Sequence, residues 1–126
     1  LKAILDTSLL IATDVAPLEG ELAISVASLA GLHFGVLVTT DPLVRAERLR
    51  RLSLLQRTFD ALPVDDDVAI SYGQLAAAFV ASRRQPQSGV MGIVIAATAH
   101  AHAARLYTRN AIDLVGIEHL VDIVPV

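Results

Sequence analysis

"ILDTSLLIA", residues 4–12, sets one carboxylate between two apolar runs and follows it at once with two hydroxyls. Leu1–Leu5 reads as a short buried strand, and Thr7–Thr13 as a helix capped by Asp6 or Thr7. A carboxylate is not kept between hydrophobic segments unless something satisfies its charge. A helix N-terminus, a metal ion or a cationic partner would each do so.

The same strand-then-helix pattern recurs along the chain. Leu22–Ser25 is a second apolar run that ends in a hydroxyl, and Val26–Val38 follows as a helix with Leu29, Leu32, His33 and Val36 on one side. Asp41 and Pro42 supply an N-cap and a first-turn proline for the clearest helix, whose stripe is Leu52, Leu55, Phe59 and Leu62. Glu47 and Arg51 add i,i+4 support to it. Pro63 closes that helix, with Leu62–Val64 as a brief strand. Asp65–Asp67 caps a fourth helix, striped by Val68, Tyr72, Leu75 and Phe79, with Arg83 and Arg84 at the end that favours cations. A loop over Gln85–Gly89 precedes a fifth helix, Val90–Ala104. Leu106–Thr108 is then a strand, Arg109–Asp113 a polar turn, and Leu120–Val124 the last strand. Short buried strands alternating with helices predict an α/β fold: a three-layer α/β/α sandwich around a mainly parallel sheet of four or five strands.

The whole chain, residues 1–126, is short enough to be a single domain and long enough to build a core without disulfides. Its apolar fraction is 54% but only 4% is aromatic, so Ala, Leu, Val and Ile must fill that core. Cysteine is absent, which excludes thiolate chemistry, and no secretory leader pattern opens the chain; a cytoplasmic protein is expected. The uncharged stretch Gln85–Ala104 contains a proline and two histidines and reads as a buried helix, so no membrane association is expected. A net charge of −3 gives no overall attraction to nucleic acid, so any such contact must come from local clusters. The only lysine is Lys2, which argues against a phosphoryl-accepting receiver domain, and no phosphate-binding glycine loop is present.

Ligands of parallel α/β sheets bind beyond the carboxyl ends of the strands. Asp6, Ser25 and Thr108–Asp113 all fall at such ends, so residues a hundred positions apart are expected to share one edge. His100 and His102 project about 200° apart on a helix and cannot grip one ion. One is expected to face the core and the other solvent, while His33 and His119 are isolated. Asp65–Asp67 is most simply a capping run. Arg45, Arg48, Arg50 and Arg51 form the densest basic cluster, either a solvated face paired with Glu47 or a surface for phosphate or a protein partner.

Four stretches together resemble the PIN-domain family, and in particular its VapC-type toxin ribonucleases: "ILDTSLLIA" (4–12), "ISVASLAGLHFGVL" (24–37), "LPVDDDVAISYGQL" (62–75) and "IVIAATAHAHAARLYTRNAIDL" (93–114). The resemblance implies a PIN-like fold and an endoribonuclease held inactive by a cognate, VapB-like antitoxin. It also implies a cluster of about four acids holding Mg²⁺ or Mn²⁺. Hard divalent cations on carboxylates compensate charge at both the attacking and the leaving oxygens of a phosphodiester. Carried over residue by residue, the family's first acid is Asp6, and its TRN-x-x-D turn supplies Asn110 and Asp113. Thr7, Ser8 and Arg109 are the expected RNA contacts.

Two acid positions depart from that pattern. The second falls on Gly31 in "VASLAGLHFG" and the third on Gly92 in "GIVIAATA". Each lies inside a predicted helix, where glycine costs about 1 kcal/mol relative to alanine. Either the glycines permit close helix packing, or the nuclease has been inactivated at two of its acids. The expectation is a toxin whose metal-dependent cleavage of RNA is impaired; the alternative is a non-catalytic PIN-type module that binds an antitoxin helix or RNA without cutting it. The apolar helices Val26–Val38 and Asp41–Leu62 offer more surface than one small core needs, so a homodimer and a groove for an antitoxin segment are also expected.

Overall fold

The computed structural model describes residues 2–12, 14–83 and 89–126, and in it the apolar runs form one five-stranded sheet. The strands are β1 (Lys2–Leu5), β2 (Glu21–Ser25), β3 (Asp60–Leu62), β4 (Arg105–Thr108) and β5 (Ile123–Pro125). They lie in the order β3-β2-β1-β4-β5, and every neighbouring pair is parallel. From β1 the chain builds outward through β2 and β3 on one side, then crosses back to β4 and β5 on the other. That reversal opens a crevice beyond the carboxyl ends of β1 and β4, where Asp6 and Thr108 stand.

The helices are α1 (Thr7–Leu10), α2 (Val26–Val38), α3 (Pro42–Thr58), α4 (Asp66–Ala81) and α5 (Gly89–Ala101), with a 3-10 turn at Ala111–Leu114. Alternation along β1 feeds two cores, one on each face of the sheet. Ile4 packs with Ala96, Ala97, Ala99, Leu75 and Phe79 of α4 and α5. Ala3 and Leu5 pack with Leu9, Leu10, Ile24, Leu55 and Tyr107. The three-layer sandwich is therefore built as the patterning predicts, and alanine on α5 is what lets that helix lie close to the sheet.

The expected caps of α3 and α4 are in place. Asp41 Oδ1 accepts from the Leu43 and Val44 amides at 2.9 and 3.4 Å, and Asp65 Oδ1 accepts from Val68 at 3.0 Å. Several boundaries move. The stripe predicts α3 through Leu62, but Phe59 is already extended (φ −121, ψ 144), because Asp60–Leu62 pairs with β2 instead. The third strand is thus residues 60–62 and not Leu62–Val64. Helix α5 stops at Ala101 rather than Ala104, since Ala103 turns left-handed at φ 50 and Ala104 N–H closes onto the Ala99 carbonyl. The last strand is Ile123–Pro125 and not Leu120–Val124, because the Leu120 and Val121 amides fold back onto the Ile117 carbonyl. Helix α1 ends at Leu10. The expectations for Leu1, Thr13, Arg84 and the loop residues Gln85–Ser88 lie outside the described residues. Among the described residues no helix is long and apolar enough to cross a membrane.

Candidate functional site

A cavity of about 320 Å³ opens at the carboxyl edge, lined among others by Asp6, Thr7, Ser8, Gly92, Asn110 and Asp113. Five of the expected site positions beyond Asp6 therefore converge on it from three different parts of the chain. Asp6 sits at the junction of β1 and α1 but does not cap the helix, because its side chain bonds to no α1 amide. Its Oδ2 instead accepts from the Ser8 hydroxyl at 2.7 Å and the Thr108 hydroxyl at 2.8 Å. Thr108 is fully buried, and its Oγ1 also accepts from the Asn110 amide at 2.9 Å. Ser8 in turn accepts from the Arg109 amide at 3.1 Å. One carboxylate oxygen is thus fixed by hydroxyls from β4 and α1, and the polar turn after β4 is tied to the same pair. No sequence signal singled out Thr108 for this role, because its partner is more than a hundred residues away.

The other expected residues lie around this centre. Asp113 stands half-buried in the 3-10 turn. Thr7 Oγ1 donates to Ser28 Oγ on α2 at 2.9 Å, and Thr7 also lines a second, adjoining cavity with Gly31, Gly35, Arg48 and Arg51. Gly31 belongs to that neighbour and not to the cavity of Asp6. Close helix packing does not account for it, since a Cβ at Gly31 would meet nothing within 4 Å. Arg109 does not line the cavity; its guanidinium is held by Asp14 at 3.0 and 3.3 Å. His100 and His102 are both half-buried, against the expected core-and-solvent split, and His100 Nδ1 lies 2.8 Å from Ser71 Oγ.

Most of the basic cluster of α3 is engaged by backbone carbonyls of the chain itself. Arg51 donates to the Leu10 and Ala12 carbonyls, both at 2.6 Å, and Arg48 to the Gly35 carbonyl at 2.7 Å. Arg45 reaches the Thr39 carbonyl at 2.7 Å. These guanidiniums answer the carbonyl ends of α1 and α2, where cations are favoured. Glu47 pairs with Arg50 at i,i+3 and not with Arg51 as its spacing suggests; that pairing holds the Glu47 carboxyl below the usual carboxylate range.

Whether a divalent ion fits can be judged from the donors. The cavity offers hard oxygen ligands of the right kind in Asp6, Asp113 and the Asn110 amide. In number they fall short: Gly92 contributes no side chain, and among the described residues no three acids or histidines come together to hold an ion. The residues present do not make the four-acid centre that the resemblance implies.

A parallel α/β/α sandwich with an acid-lined crevice at the β1–β4 switch point defines a class, the PIN-type fold. No family model matches the chain. It is 34% identical over 113 residues to ribonuclease VapC5 of Mycobacterium tuberculosis, covering 85% of this chain and 82% of that one. Ribonuclease VapC8 of the same species is 35% identical over 100 residues, 76% of this chain and 88% of its own. The crystal structure of VapBC-5, a toxin-antitoxin system from Mycobacterium tuberculosis, superposes with a TM-score of 0.85 at 30% identity, covering 99% and 97% of the two chains. The chain belongs to the VapC-type PIN-domain family of ribonucleases.

Proposed function

We propose that this chain is the toxin half of a toxin–antitoxin pair, an RNA phosphodiesterase dependent on Mg²⁺ or Mn²⁺ whose activity is impaired as the chain stands. The relatives support the coarse part of that reading: they are named ribonucleases, and the superposing structure is a toxin-antitoxin complex. The observation that carries the finer part is the cavity wall. Asp6 and Asp113 line one cavity together with Gly92, so a position that carries an acid in the resembling family contributes no carboxylate here. Two carboxylates hold a reluctantly dehydrating ion such as Mg²⁺ weakly, and mainly through waters. In this reading Asp6, fixed by Ser8 and Thr108, and Asp113 are the remaining ligands, Asn110 orients the turn, and Thr7, Ser8 and Arg109 meet the RNA. Exposed Phe34, Leu37, Val38 and Leu43 at the α2–α3 end offer an apolar surface for self-association and for an antitoxin segment.

The depleted acid set also favours a second reading, a non-catalytic module that binds its partner without cutting RNA. Single-turnover cleavage of total cellular RNA separates the two. The unmodified chain should cut slowly or not at all, and Gly92→Asp with Gly31→Glu should restore EDTA-sensitive cutting. Gly92→Asp alone should recover more than Gly31→Glu alone, because position 92 shares the cavity of Asp6 and position 31 lines its neighbour. Rapid EDTA-sensitive cutting by the unmodified chain would contradict the impairment. No cutting by the double variant would favour the non-catalytic module.

A further inference from the structure

Arg109 and Asp14 form the one ion pair at the rim of the site among the described residues. Nη2 of Arg109 lies 3.0 Å from Asp14 Oδ1 and Nη1 lies 3.3 Å from Oδ2, so the guanidinium fork meets both carboxylate oxygens. The same fork geometry suits two oxygens of a phosphate. At its backbone Arg109 is one hydroxyl away from Asp6: its amide donates to Ser8 Oγ, and Ser8 donates to Asp6 Oδ2. Its side chain, by contrast, is turned to Asp14 on the segment leading from α1 to β2.

We propose that Asp14 is a specificity-setting stand-in for substrate phosphate: it occupies the Arg109 fork in the free protein and is displaced when an RNA phosphate arrives. The inference rests on the ribonuclease reading above. The Asp14 side chain is 73% exposed and that of Arg109 34%, so solvent and ligand reach the pair directly. An exposed pair of this kind is weak and screened by salt. Exchange of one oxyanion for another keeps the number of charge-assisted hydrogen bonds constant. The cost of displacing Asp14 therefore falls on every ligand, and a phosphate chain that makes several further contacts tolerates it better than a lone anion does. Arg109 also draws the Asp14 carboxyl below the usual range, so Asp14 remains charged and competing at neutral pH.

The test is fluorescence anisotropy of a short labelled single-stranded RNA in EDTA, which needs neither metal nor cleavage. Asp14→Asn should tighten binding about two- to fivefold, the size expected of an exposed ion pair, and Asp14→Glu should not. The slope of log affinity on log salt should steepen by up to about 0.7, the release from one single-strand phosphate contact. In an Arg109→Gln background Asp14→Asn should change nothing, because the coupling runs through the fork. Asp122→Asn, which removes a remote charge beside Arg105, should also leave binding unchanged. Tightening by Asp14→Asn that persists in Arg109→Gln would mean bulk charge alone, and would overturn the proposal. So would binding that depends on Arg109 but ignores Asp14→Asn, while leaving the ribonuclease reading intact. Failure of every variant to bind RNA would overturn that reading and the inference with it.

Discussion

The carboxyl edge of the sheet and the α2–α3 arm both carry charges, and the protein uses them in opposite ways. At the edge a single acid, Asp6, is gripped by Ser8 and by Thr108 from a strand a hundred residues away, and its neighbours line an open cavity. On the arm three of a dense run of four arginines bond to carbonyls at the ends of α1 and α2. A sparse charge at a strand end serves the site; a conspicuous cluster on a helix serves the fold. Density of charge is therefore a poor guide to function here. What distinguishes the edge is that its polar groups satisfy one another across the sheet and still face solvent-accessible space.

Single substitutions on the edge and on the arm should differ in their cost to stability. Thr108→Val should have the largest effect, because it strips a donor from Asp6 and an acceptor from the Asn110 amide in a fully buried position. A loss of about 1–3 kcal/mol in urea unfolding is expected. Arg51→Met should follow at about 1.5–2 kcal/mol, since the carbonyls of Leu10, the last residue of α1, and of Ala12 just beyond it lose a charged donor. A null result there would mean that the arm does not hold the segment next to the site. Gly31→Ala should instead stabilise the protein by about 0.5–1 kcal/mol, because the position is helical and a Cβ has open space. Arg50→Gln, which breaks only the exposed pair with Glu47, should move the midpoint by less than about 0.5 kcal/mol. Equal losses for Arg50→Gln and Arg51→Met would erase the distinction between surface and structural arginines.

Much of this was legible before the structure. The strand–acid–helix junction at Asp6, the Asp41-Pro42 start of α3 and the Asp65 cap depend on neighbouring residues, and local chemistry decides them. The end of α3 was not legible, because Phe59 and Leu62 continue a helical stripe that the pairing of Asp60–Leu62 with β2 overrides. Convergence of Asp6, Asn110 and Asp113 followed from their places at strand ends in a parallel sheet. Thr108 as the anchor of Asp6, the carbonyl partners of the α3 arginines and the Asp14–Arg109 pair are all contacts between distant segments. No spacing encodes them. The separation of Gly31 from Gly92 into neighbouring cavities is hidden for the same reason, since the resemblance assigns both positions to one acid cluster.

In the proposed function this edge is a metal centre lacking a carboxylate at position 92. Calorimetric titration of Mn²⁺ into the unmodified chain and into Gly92→Asp tests it without RNA or cleavage. Weak, barely saturable binding to the unmodified chain is expected, with affinity at least about tenfold higher in Gly92→Asp and abolished again when Asp6→Asn is added. Equal, tight binding by the unmodified chain and the variant would contradict it.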